Sequence, residues 1–196
     1  MNLVRKYPKE IQLFNSILIA VSIVVSILSI IGNIQKGSIG MIISDTLLLG
    51  ALICALIYMI KGHGKATAGY FKGVIWLFLL GTVTSVITNI LTASPDEGSS
   101  LIGTVVIALF GSSLIAAVAF VPNLGQKKSL AFSGINLVMR FMIFVIVIIL
   151  LIRNPQAREK QGIVVIYRTL VLVTLSAVIY INTCCKYLDK ENRNTN

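Results

Sequence analysis

The sequence predicts an all-α, polytopic integral membrane protein with six transmembrane helices forming a single transmembrane domain over residues 1–196. Three observations predict it. The 196 residues are 56% hydrophobic and only 12% charged, with a mean hydropathy of +0.91, whereas a soluble domain carries roughly a quarter charged residues. The apolar residues are gathered into six blocks of 18–21 residues, at 11–31, 41–60, 74–91, 101–121, 135–152 and 163–181. Blocks of that length match the ~20 residues that a helix needs to cross a bilayer. Finally, none of the blocks carries the charged stripe with which a soluble bundle meets water.

Each block has its own signature. Pro8 is placed to start the first helix, and the polar residues Asn15, Ser22, Ser26, Ser29 and Asn33 recur at steps of seven, four, three and four, which is one helix face. Such a face is either a solvated path or a small-residue packing seam. The second block holds Asp45 near its start and a patch of Gly50, Ala51, Cys54 and Ala55. The third lines Gly81, Thr84, Ser85, Thr88 and Thr92 along one side, and the fourth spaces Ala108, Ser112 and Ala116 by four. In the fifth, Arg140 is followed by only Phe141–Ile152. That stretch is about 18 Å of helix, too short for a ~30 Å core, so the helix must begin before Arg140. Small residues are scarce after Gly134, which points this segment toward lipid. The sixth block carries Arg168 six residues inside its start.

Of the 17 Lys and Arg residues, twelve fall in the N-terminus, the second and fourth connections with Arg140, and the C-terminus; four fall in the other three connections. An excess of basic residues marks the cytoplasmic side, so a plasma-membrane protein with both termini cytoplasmic is expected. The triplets Ile31-Gly32-Asn33, Ile87-Thr88-Asn89 and Ile152-Arg153-Asn154 recur at about sixty residues and leave open an arrangement of three helical hairpins.

Several function classes are excluded. The net charge of +10 is spread beside apolar segments without aromatic interleaving, which disfavours nucleic acid and suits an anionic cytoplasmic leaflet. Cys54, Cys184 and Cys185 form no CxxC or Cys/His cluster, so no metal and no cofactor are expected. His63 is the one histidine, in Lys61-Gly62-His63-Gly64-Lys65. A basic six-helix chain with a His after its second helix resembles the accessory gene regulator B peptidases. That family places a nucleophilic Cys seven residues on, where this chain has Tyr70, a poor substitute; no catalytic residue is assigned and an enzyme is not expected. Ser22 and Ser26 have the spacing of the small-residue patch in the substrate-binding subunits of energy-coupling-factor vitamin transporters, which the six-helix layout resembles. The loop Asn123–Ser129 and the overall layout are similar to uncharacterised small six-helix membrane proteins of Gram-positive bacteria, a likeness that implies the fold and no chemistry.

Asp45 and Arg168 carry the main functional expectation. With both termini inside, they lie about 6–9 Å below the outer boundary at ~1.5 Å per residue. A charge in a spanning helix costs on the order of 3 kcal/mol. Pairing relieves both and sets the second helix beside the sixth, and a swap of the two charges should then restore what either single swap loses. Arg140 finds no acid at its level, so it is expected to reach lipid phosphate. Two functions remain open. One is a transporter or permease-type component, in which Ser22, Ser26, Ser29, Thr84 and Thr88 with the Asp45/Arg168 level form a polar pocket near the outer face. The other is a non-catalytic scaffold or partner subunit that binds other membrane helices, a membrane-protein partner or a second copy of the chain. In both, the lipid bilayer and anionic lipid on the cytoplasmic face are the surroundings.

Overall fold

The computed structural model describes residues 8–61, 68–92, 98–121, 124–153 and 163–194. Six helices make up these residues: α1 (Pro8–Gln35), α2 (Ile39–Lys61), α3 (Ala68–Thr92), α4 (Gly98–Phe120), α5 (Gln126–Arg153) and α6 (Ile163–Asn194). Five of them, all but α4, are long and apolar enough to cross a membrane. The described apolar run of α4, Val105–Phe120, is shorter, although the helix itself has 23 residues. The chain is an all-α polytopic membrane protein.

Each helix packs on the next in sequence, and α1 closes on α6. The hairpin pairs α1–α2, α3–α4 and α5–α6 are therefore present, but within a continuous ring. α6 sits most centrally, touching α1, α2, α3 and α5, whereas α4 packs chiefly on α3 and α5. Contacts between Asn15 of α1 and Met59 of α2, and between Tyr58 of α2 and Asn182 of α6, gather the start of α1, the end of α2 and the later part of α6 at one end of the bundle. The opposite end holds the tight α1–α2 turn, where Gly37 adopts φ 68°, a left-handed conformation that glycine enters without a side-chain clash. There the Ser38 N–H donates to the Asn33 carbonyl at 3.1 Å.

The interior combines an apolar core, with Leu48, Leu52, Phe78, Leu175 and Ile179 fully buried, with many buried polar side chains. On α1 the buried positions are Asn15, Ile19, Ser22, Ser26, Ser29 and Asn33, alternating by four and three, the seam spacing of packed helices. Leu13, Phe14, Ile17, Val21, Val24 and Ile31 point outward. Small polar residues allow close approach and pair across helices, while aliphatic side chains meet lipid. α5 is the extreme case: Ser133, Asn136 and Arg140 are buried, whereas Val138, Phe141, Met142, Ile146 and Ile152 are exposed.

α2 and α3 come closest at Gly81. A Cβ there would lie 3.0 Å from Leu48 and 3.2 Å from the Ser44 carbonyl oxygen. Gly81→Leu is therefore expected to force the two helices apart and destabilise the fold by about 1–3 kcal/mol. Gly73→Ala, whose Cβ would meet only Cys54 at 3.5 Å, should be neutral. Thermal unfolding of the two purified variants checks this, and equal midpoints would contradict the close packing.

Candidate functional site

Two polar clusters lie inside the bundle. The first is built around Asp45, on the second turn of α2, which is 2% exposed. Ser29 and Asn33 stand one turn apart on α1 and converge on the same carboxylate oxygen. The Ser29 hydroxyl donates to Asp45 Oδ2 at 2.7 Å, and Asn33 Nδ2 donates to it at 2.7 Å. From α6, Arg168 Nε lies 3.6 Å from Asp45 Oδ1, a charge–charge contact slightly longer than a hydrogen bond. The Arg168 guanidinium also donates to Met41 Sδ and to the Ser44 hydroxyl. Ser44 in turn donates to the Gly81 carbonyl of α3 at 2.6 Å. One acid and one base thus tie together α1, α2, α3 and α6. Two hydrogen bonds and an opposite charge make up for the water that the carboxylate has lost.

The structure brings Asp45 and Arg168 together with Ser29, but not with the other predicted polar positions. Ser22 pairs with Thr174 of α6, hydroxyl to hydroxyl at 2.7 Å, and Ser26, one turn further along α1, is buried as well. Thr84 and Thr88 donate within α3, to the carbonyls of Leu80 at 2.9 Å and Thr84 at 2.8 Å. Thr88 also presses on α2, since a Cβ at Gly40 would lie 2.2 Å from its Oγ1. His63 lies outside the described residues.

The second cluster surrounds Arg140. This residue is 5% exposed, with its guanidinium carbon 5.6 Å from the centre of the Phe78 ring. It is not on the lipid surface where the sequence sends it. α5 starts at Gln126, so Arg140 lies about 18 Å along the helix from Lys128 at ~1.5 Å per residue, too far for a snorkelling side chain to span. One turn back, Asn136 Nδ2 donates to the Ser176 hydroxyl at 2.9 Å. Arg140 Nε and Nη2, Asn136 Oδ1 and the Ser112 hydroxyl are buried without a hydrogen-bond partner. A cation–π contact is worth about 0.5–2 kcal/mol, well short of the several kcal/mol that an uncompensated buried charge costs.

Four further polar residues, Ser44, Thr174, Ser176 and Asn182, hydrogen-bond across helices without being among the positions expected from the sequence. Their signal was available: on α6 the buried Thr174, Ser176, Asn182 and Thr183 interrupt an aliphatic run, and polar residues inside a membrane helix are costly unless paired. Among the described residues no group of three or more His, Cys, Asp or Glu side chains could hold a metal ion. Comparison with protein-family models, with curated proteins and with solved structures returns no match.

Proposed function

We propose that the chain is a non-catalytic membrane subunit, a helical scaffold that binds other membrane components, in preference to a permease with a pocket at the Asp45/Arg168 level. The observation that carries this reading is the state of Asp45: 2% exposed, with its carboxylate engaged by Ser29, Asn33 and Arg168. A substrate site needs polar groups with free valences facing a cavity. Here the polar faces of α1 and α6 are largely engaged by neighbouring helices, Ser22 with Thr174, Ser29 and Asn33 with Asp45, Ser176 with Asn136 and Asn182 with Tyr58, as in a packing seam. The apolar outer faces of α1 and α5 are left to lipid and to membrane helices of a partner or of a second copy. In this reading the protein resides in the plasma membrane with both termini cytoplasmic, its basic residues against anionic lipid.

Cysteine substitution at Ser26 and Thr84, followed by a membrane-impermeant, water-soluble thiol reagent applied from either side, tests it. Both positions are expected to stay unlabelled until the protein is denatured. Rapid labelling at Ser26 would mean that water reaches the α1 face and would restore the permease reading.

A further inference from the structure

We propose that Arg140 anchors a binding site for a compact, hydrogen-bearing oxyanion of the dihydrogen phosphate type. The Nε and Nη2 atoms form the edge with which arginine grips two oxygens of a carboxylate or phosphate, and here both are buried and donate to nothing. Asn136 Oδ1, an acceptor, and the Ser112 hydroxyl are buried and unpartnered as well. Two charged donors beside an acceptor and a hydroxyl match a ligand that carries both negative oxygens and a P–OH. A bare halide would satisfy the arginine and leave Asn136 Oδ1 unpaired.

The nearest opening toward the site lies at the end where α1 starts and α6 finishes. A cleft of about 210 Å³ opens there between α3, α4, α5 and α6, with Lys72, Gln126, Ser129 and Thr183 at its polar edge and Phe71 and Ile75 among its apolar walls. Ile75 is one turn from Phe78, whose ring carries the Arg140 guanidinium. Exposed Lys127 and Lys128 begin α5 beside the cleft, so the approach is electropositive and concentrates anions. Gly111 marks where the ligand seats. A Cβ added there would stand 3.6 Å from Arg140 Nη2, 3.7 Å from Nε and 3.0 Å from Asn136 Oδ1, so a side chain at this position would crowd the guanidinium edge. That gap is narrower than a phosphate, and binding moves α4 outward. α4 is free to do so because it packs chiefly on α3 and α5.

The same phosphate chemistry could arrive as free anion or as a lipid headgroup, and the experiment separates the two. The full chain is placed in phosphatidylcholine nanodiscs and titrated with inorganic phosphate against sodium chloride at matched ionic strength. Saturable binding of radiolabelled phosphate is expected by equilibrium dialysis. The thermal midpoint should rise by roughly 5–10 °C at a hundredfold excess over the dissociation constant. Arg140→Lys, which keeps the charge and loses the fork, should weaken binding at least about tenfold, and Arg140→Gln should abolish the shift. A midpoint that ignores phosphate but rises with phosphatidylglycerol in the discs, only when Arg140 is present, assigns the same site to a lipid headgroup. Absence of both effects, or a phosphate effect of equal size in Arg140→Lys or Arg140→Gln, overturns the proposal. Should Arg140→Gln not fold, dialysis of the unaltered chain and of Arg140→Lys decides alone.

Discussion

Arg168→Leu is expected to destabilise the protein by about 3–5 kcal/mol, the range for breaking one half of a buried ion pair. The carboxylate left behind keeps the Ser29 and Asn33 donors but loses its only positive neighbour among the described residues, at 3.6 Å. Asp45→Asn should be comparably damaging, because the guanidinium would then rest on Met41 and Ser44 alone, neither of which carries a charge. The double variant Asp45→Asn with Arg168→Leu removes both charges and should recover a large part of the loss. A double-mutant cycle in detergent-solubilised protein, read by thermal midpoint or denaturant titration, measures the coupling. A charge swap is the weaker test. The surroundings are not symmetric, since an arginine at position 45 would meet the two donors that now serve a carboxylate. Swapping is therefore expected to recover little, even though the pair is in contact. If the neutral double variant is no more stable than the worse single one, the two residues do not act as a unit and the lock around Asp45 is not what joins α2 to α6.

The extent to which this arrangement could be read from the chain depends on what each residue can signal alone. Six helices follow from block length, because a bilayer imposes one span length on every helix. The α1 face follows from a period, Asn15 through Asn33, and that face is what the bundle buries. Asp45 and Arg168 were legible as a pair because an isolated charge at that depth is costly enough to make a partner the natural solution. The ligands completing the network were not. Ser44 is one serine among many, and its role depends on Gly81 bringing α3 against α2, which is a fact of packing. Arg140 shows the same limit from the other side. With no acid at its level, sequence reasoning sends it outward to lipid, whereas the buried positions Ser133, Asn136 and Arg140 turn that stripe of α5 inward. The spacing by three and four was in the sequence; which side of the helix would be covered was set by the neighbours.

That inward turn leads to a prediction of opposite sign for two arginines on neighbouring helices. In phosphate-free buffer Arg140→Met is expected to stabilise the protein, by about 1–3 kcal/mol, whereas Arg168→Leu destabilises it. The guanidinium of Arg140 loses its hydration on burial, at a cost of several kcal/mol, and among the described residues regains only a cation–π contact with Phe78 worth about 0.5–2 kcal/mol. Methionine keeps the unbranched stem that packs along α5, adapts to the irregular space left beside Gly111, and leaves the Asn136–Ser176 hydrogen bond in place. Removing the charge then removes a penalty without removing a partner. Natural proteins retain destabilising groups where function needs them, so a gain in stability here, together with the loss of phosphate binding, would mark Arg140 as kept for its ligand. A fall in the unfolding midpoint of Arg140→Met as large as that of Arg168→Leu would mean that the charge already has a counter-ion in the purified protein, from a second subunit or a retained lipid, and that its nitrogen edge is not free.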